Sequence, residues 1–441
     1  MSSNQWDNLQ TQNCTNKFDV TATDPRFRFF GNVNIGSTPL HSIPHALHLP
    51  LPTILENYSH LLFAPGCTVP LLHPAIPPSA YCISALSLVH WYTRHPSHPP
   101  PPALDKISHV TLIGNGNVSL DVARILLTSP SVLRRYDVPE HVLEVLSRST
   151  VKHVSIVGRR GPLEAAFSTK ELREMINLPE ASMIPIDPTL LTPPSGVTPT
   201  RQQRRTLELL QKGSKNAPGS TPKSWSLHFY RSPTSLTPPS TASPSNMANL
   251  TLAHTRLDPA TSRAVTTGET SNLPTSLVVT SLGFHADPET TFYDPALTHL
   301  RASAGRITSP EGLPLKNVYA SGWAAHGAKG VLASTMMDAY AVADTIISDI
   351  VPSIDGVKSE FAPSVTATGT TLEKLLNPCP DLDALPAEIT HGIRDGMITQ
   401  YDDWKLIDSE EVRRGEALGK ERERMGWEEA RSFIASERTR T

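Results

Sequence analysis

Val110 to Val122 reads VTLIGNGNVSLDV, and the fold of the chain is decided there. An apolar run, Val110 to Ile113, breaks into Gly114-Asn115-Gly116-Asn117-Val118-Ser119; Leu120, Val122, Ala123, Ile125 and Leu126 then resume at helical spacing. The pattern is strand, glycine turn, helix. Gly114 permits a tight turn, and Gly116 lets a pyrophosphate approach the backbone. The free N–H groups of the helix start favour an anion. Ser119 takes the place of the third glycine of G-x-G-x-x-G, so the fingerprint is imperfect and by itself leaves the ligand open.

The second informative stretch is Val151 to Gly161, VKHVSIVGRRG. A short apolar strand ends in Gly158-Arg159-Arg160, where an NAD-binding fold places an acidic residue against the ribose 2′-hydroxyl. Paired guanidinium forks suit a 2′-phosphate, which favours NADP(H) over NAD(H). A polar helical segment, Ser131 to Ser149, makes the spacing from the glycines longer than the usual ~20 positions. The competing reading has Arg159 and Arg160 capping a strand in solvent.

Gly114 to Leu127 (GNGNVSLDVARILL) and Val157 to Leu178 (VGRRGPLEAAFSTKELREMINL) closely resemble the adrenodoxin reductase family, mitochondrial NADPH-dependent ferredoxin reductases. FFGNVNIG (Phe29 to Gly36), SLGFHADP (Ser281 to Pro288) and YASGWAAHGAKGVLASTMMDA (Tyr319 to Ala339) extend the resemblance over nearly the whole chain. It implies an α/β fold with two Rossmann-like, glutathione-reductase-like dinucleotide-binding domains, the FAD domain discontinuous and incomplete. The family's N-terminal strand, its G-x-G-x-x-G for the FAD pyrophosphate and its ribose glutamate have no counterpart, and Asn13 to Gly36 aligns with the family segment C-terminal to those motifs. The expected segments are a partial FAD-domain piece with a proline-rich linker (1–104), an NADP-binding domain (105–275), and the C-terminal part of the FAD domain with a charged tail (276–441).

The resemblance also assigns residues. Asn115, Gly116, Asn117 and Val118 would cradle the NADP pyrophosphate, and Arg159 and Arg160 would take the 2′-phosphate. Glu171 and Gly330 match further NADP contacts. On the flavin side the matches are Ile35, Trp323, Gly330, Val331 and Leu332. Trp323 stands where related flavoenzymes carry an aspartate; packing between domains is its competing role. The implied partner is an acidic [2Fe-2S] ferredoxin docking on Arg173, Arg201 and Arg205, the last two being four apart and on one helix face. An ordinary solvated helix face would look the same.

The rest of the composition narrows the classes. With 39 basic and 42 acidic residues the net charge is −3, no footprint for nucleic acid. No apolar run approaches the ~20 residues of a membrane span, and peripheral membrane association stays open. Cys14, Cys67, Cys82 and Cys379 are scattered without C-x-x-C, so no metal or cluster site is indicated. Prolines number 41 of 441, well above the usual ~5%, and cluster at His73 to Pro78 and Pro96 to Pro102, which suit a crossing between domains, and at Pro185 to Thr200 and Ser232 to Ser245, expected as surface loops. His41, His45 and His48 lie near prolines, and no catalytic triad is evident. Asp121 reads as a cap or hydrogen-bond partner. The run Gly415 to Arg424 (GEALGKERER) reads as a solvated helical face. Residues 1–28 show neither a secretory h-region nor an arginine-rich presequence, so mitochondrial location rests on the resemblance.

Three functions are compatible with these residues. They are a reductase passing electrons from NADPH through FAD to a ferredoxin, an NADP(H)-binding relic or sensor without FAD, and a module keeping only the docking surface.

Overall fold

The computed structural model describes residues 16–36, 38, 43–194, 196–239, 247–350 and 376–440. Cys14, His41 and part of the Ser232 to Ser245 segment lie outside them. Contacts divide the chain into two compact units. One comprises Met1–Val20, Leu71–Leu282 and Leu406–Ile434, and the other Thr21–Pro70, Gly283–Lys405 and Ala435–Thr441.

The first unit is built on β1 (Cys82–Ser84), α1 (Ala85–Tyr92), β2 (His109–Ile113), α2 (Asn117–Leu127), α3 (Glu140–Ser147), β3 (His153–Val157), α4 (Thr169–Ile176), β4 (Ala181–Met183), α5 (Arg201–Lys212), β5 (Lys223–His228), β6 (Arg231–Thr237), β7 (Ala248–Leu257), β8 (Ala264–Thr275) and β9 (Leu277–Thr280). Six strands form an all-parallel sheet in the order β1-β9-β2-β3-β5-β4. Parallel strands need covering on both faces. Helices supply one cover, with Leu112, Leu120, Leu172, Phe167 and Trp225 all but fully buried in a common core. The antiparallel sheet β6-β7-β8 contributes Leu250 and Leu252 to a second cluster with Ile113, Val157 and Val278.

Caps set the helix starts. The Ser84 hydroxyl accepts from the Ser87 N–H on α1, and the Ser168 hydroxyl from the Glu171 N–H on α4. Thr200 and Gln203 form a reciprocal capping box on α5, which ends at Gly213 with φ 70°.

Three local expectations change. Ser232 to Thr237, expected as loop, is strand β6, paired antiparallel with β7; isolated serines and prolines there are outvoted by pairing with an apolar neighbour. Leu277 to Thr280, expected to open the return to the flavin part, sits between β1 and β2. The charged run near 420 is not a solvated face. The Lys420 side chain is fully buried, donates to the Val138 carbonyl at 2.7 Å and pairs with Glu423 at 2.5 Å, while Arg424 pairs with Asp137. The charges face opposite charges and carbonyls of the 137–140 segment, a pairing that local sequence cannot reveal.

In the second unit, Leu61–Phe63 runs parallel to Pro314–Ala320, which pairs antiparallel with Arg306–Thr308. Val33–Ile35 and Leu47–Leu49 form a parallel pair. Ile307, Leu315, Val318 and Ala320 form its core with Ala324 and Ala325. The helix Leu332–Ile350 buries only Val342 and leaves Met336, Met337, Tyr340 and Ile347 exposed. Among the described residues no helix is long and apolar enough to cross a membrane.

Candidate functional site

The glycine turn lies at the C-terminal end of β2, between β9 on one side and β3 on the other, the position at which open α/β sheets bind ligands. Gly114 has φ 124°, its N–H donates to the Val157 carbonyl at 2.8 Å, and a Cβ would collide with the Ser281 carbonyl. Three strand ends therefore meet at one residue that only glycine can occupy. A Cβ on Gly116 would meet nothing within 4 Å, so the outer side of the turn is open. No side chain caps α2, leaving first-turn N–H groups for an anion. Ser119 is buried and its hydroxyl donates to the Gly114 carbonyl at 2.5 Å. The missing third glycine is thereby replaced by a hydrogen bond inside the turn.

Asn115 accepts from the Ala166 and Phe167 N–H groups through its carbonyl, both at 3.1 Å, which fixes the residue. Its side-chain amide nitrogen is buried without a partner among the described residues and lies 2.7 Å from where a Cβ on Gly158 would sit. A buried donor left unpaired at a nucleotide turn is costly unless a ligand meets it. Asn117 accepts from the Ser168 N–H at 2.7 Å and so anchors the start of α4. Val118 is half-buried against the core.

Arg159 and Arg160 follow β3 directly. Their carbonyls accept from the Thr255 hydroxyl at 2.8 Å and the Tyr230 N–H at 3.2 Å, holding the backbone while neither guanidinium has an acidic partner among the described residues. Arg159 is exposed and Arg160 half-buried. Two unpaired forks beside an open glycine turn are an anion site in waiting. His73 is held below the ordinary imidazole range by burial and by the nearby Arg159 charge.

Glu171 sits differently from a free ligand contact. It pairs at 2.7 Å with Arg124, a residue of α2 that is only 7% exposed and also meets Asp121 and Glu174. Sequence reasoning passed over Arg124, although one charged residue in the apolar stretch VARILL was a signal. Burial, with the Asp121 charge adding to it and Arg124 opposing, pushes the nearby Tyr92 phenol above its usual range.

Arg173 on α4 and Arg201 and Arg205 on α5 are exposed, the two helices pack together, and Arg204, which the sequence reading did not single out, is exposed with them. None has an acidic partner among the described residues.

In the second unit, Trp323 opens a one-turn helix after Gly322 (φ 64°), and its carbonyl accepts from the Cys67 thiol at 3.2 Å. Asp338 was also missed. Its carboxylate accepts from the Gly322 N–H at 2.6 Å and from the Ser321 hydroxyl and His326 imidazole at 2.8 Å each. Burial alone would raise its pKa, but these hydrogen bonds outweigh burial and hold it below the usual carboxylate range. Gly330 has φ 89°, and Val331 and Leu332 after it are exposed, as is Ile35.

No family model matches the chain. Human mitochondrial NADPH:adrenodoxin oxidoreductase is 34% identical over 436 residues, covering 95% of this chain and 80% of that protein. The chain belongs to the NADPH:adrenodoxin oxidoreductase family. Within that family the similarity reaches bacteria: the NADPH-ferredoxin reductase FprA of Mycobacterium tuberculosis is 32% identical over 368 residues, covering 81% of this chain and 75% of its own. The solved structure of Mycobacterium tuberculosis FprA in complex with NADPH superposes with a TM-score of 0.75 at 28% identity, covering 97% of this chain and 88% of that one. Members of this family are oxidoreductases, and the comparisons lend no support to the relic reading.

Proposed function

We propose that this chain is an NADPH-dependent reductase of an acidic [2Fe-2S] ferredoxin, using FAD. The observation that carries the reading is the placement of Arg159 and Arg160, without acidic partners among the described residues, beside an open glycine turn whose Asn115 amide is a buried donor unpaired among them. The turn from Asn115 to Val118 binds the pyrophosphate of NADPH through backbone N–H groups and the Asn115 amide. Arg159 and Arg160 take the 2′-phosphate, while Glu171, held by Arg124, supports the helix beside the turn.

The residues assigned to FAD fit an apolar, planar group. Val331 and Leu332 expose aliphatic surface at a helix start, Ile35 does so at a strand end, and Trp323 is fixed by the Cys67 contact and the Asp338 hub. Bound FAD supplies the conversion of two-electron reducing equivalents from NADPH into single electrons for the ferredoxin. The protein places and orients; no side-chain nucleophile or general base is required. Arg173, Arg201 and Arg205 form the docking face. The mitochondrial relatives support a mitochondrial location. The NADP part is the first unit, with Leu71–Leu282 in place of 105–275.

The test is reduction of cytochrome c by purified protein, NADPH and a [2Fe-2S] ferredoxin, with the flavin spectrum recorded on the same sample. Ferredoxin-dependent reduction by a yellow protein supports the proposal. A colourless protein with no such reduction refutes it.

A further inference from the structure

The proline-rich stretch Pro96 to Pro102 has no part in the nucleotide site, yet it closes a cavity of about 300 Å³ in the first unit. The cavity forms where the end of α1, the loop after it and α3 meet. It is lined by His90, Trp91, Arg94, His95, His98 and His141. Because α1 follows β1 and runs back along the sheet, its C-terminal end lies at the edge opposite Gly114. The cavity shares no residue with the glycine turn.

Its walls are rich in hydrogen-bond donors. Trp91 is 5% exposed and its indole N–H is buried with no partner among the described residues, an orphan that a ligand would satisfy. Arg94 donates to the Arg424 carbonyl and faces Glu429 at 3.6 Å, keeping further N–H groups. The rings of His90 and His95 stack at 3.8 Å, and the Ser97 hydroxyl joins their Nδ1 atoms at 3.2 and 2.9 Å. The one carboxylate in the lining is Glu144, which faces the exposed Arg148 at 3.6 Å. We propose that this cavity is a binding site for a small dianionic oxyanion of the sulfate and phosphate class, held by Trp91, Arg94 and the four imidazoles.

Burial sets the charge preference of three of these imidazoles. Burial and the stacked His95 push His90 down to about 4; burial lowers His95, with His98 adding to it, and lowers His141, where Arg94, His98 and Lys420 oppose Glu423. Burial thus disfavours the charged forms of His90, His95 and His141, forms that a bound dianion would favour. Glu140, Glu144 and Glu429 are the opposing carboxylates nearby.

The experiment uses sulfate, a dianion at neutral pH, with chloride at equal ionic strength as control. Calorimetric titration of the full chain carrying Arg159→Ala and Arg160→Ala removes the competing 2′-phosphate site. The expected result is saturable binding, weakened about tenfold by His98→Gln or His141→Gln, each of which leaves the circular dichroism spectrum unchanged. Absence of saturable sulfate binding, or unaltered binding in both histidine variants, overturns the proposal. Arg94→Ala also loses its contact with the Arg424 carbonyl, so the histidine variants decide.

Discussion

Arg124 on α2 and Glu171 on α4 meet at 2.7 Å in a nearly closed environment, with Asp121 and Glu174 on the same guanidinium. One buried cation thus holds three carboxylates and ties the glycine-turn helix to the helix whose start Asn117 anchors. Removing the cation leaves the carboxylates uncompensated, at a cost of about 3–5 kcal/mol for a broken buried pair. Arg124→Ala is therefore expected to lower the urea midpoint sharply. Arg124→Lys, a point charge without the fork, should recover only part of it. An Arg124→Ala protein as stable as the parent would show that the cluster is not the tie described.

The glycine turn makes a second prediction. Gly114→Ala forces a Cβ into the Ser281 carbonyl at a φ of 124°, and backbone strain of this kind costs about 1–3 kcal/mol before the collision is counted. Gly116→Ala meets open space and should be tolerated by the fold while weakening nucleotide binding. Comparing thermal midpoints and NADPH affinity for the two variants separates the structural glycine from the ligand-facing one.

Much of this is readable in the sequence and some is not, for a physical reason. The turn from Gly114 to Ser119 and the pair Arg159-Arg160 are local: their meaning depends on a strand ending where they begin, and hydrophobic periodicity shows that. The Glu171 partner of Arg124 and the seam around Lys420 depend on pairings between segments far apart in the chain, 47 residues for Arg124 with Glu171 and 280 for Lys420 with Glu140, and the hub at Asp338 depends on how the turn at Ser321 to His326 folds against the helix after it. A charge is read as solvated unless its distant partner is known. For the same reason the division expected after residue 275 leaves β9 out of the sheet that inserts it between β1 and β2.

The exposed arginines of α4 and α5 predict a salt-sensitive encounter. Arg173→Glu, Arg201→Glu and Arg205→Glu, alone and combined, should raise the KM for an acidic ferredoxin about tenfold or more at low ionic strength, the effect shrinking as salt screens it. Steady-state assays over a salt series check this. Equal KM values for parent and triple variant at low salt would remove the docking face from the account.

Acid should loosen the first unit through a second histidine group. His109, His153 and His228 stand on neighbouring strands, joined through the Ser155 and Ser226 hydroxyls at 2.8–3.2 Å. Burial, reinforced by the other imidazoles, pushes His109 and His153 down to about 4, and burial with the Arg231 charge lowers His228. The unfolded chain takes up these protons near the ordinary imidazole value of about 6.5, so it binds more protons than the folded chain between there and about 4. Stability is complete above that window and falls as pH drops through it. Urea midpoints from about pH 7.5 to about pH 5 should decline, and less steeply in His153→Asn.

The central claim is that Arg159 and Arg160 recognise the 2′-phosphate of NADPH. The direct measurement is the affinity of purified chain for NADPH and for NADH, in the parent and in Arg159→Ala and Arg160→Ala. Loss of one charge-assisted contact costs about 1.5–3 kcal/mol, or roughly 10- to 100-fold. Each variant is expected to weaken NADPH by that factor and leave NADH nearly unchanged. Equal affinity of the parent for the two nucleotides, or variants that weaken both alike, would contradict it.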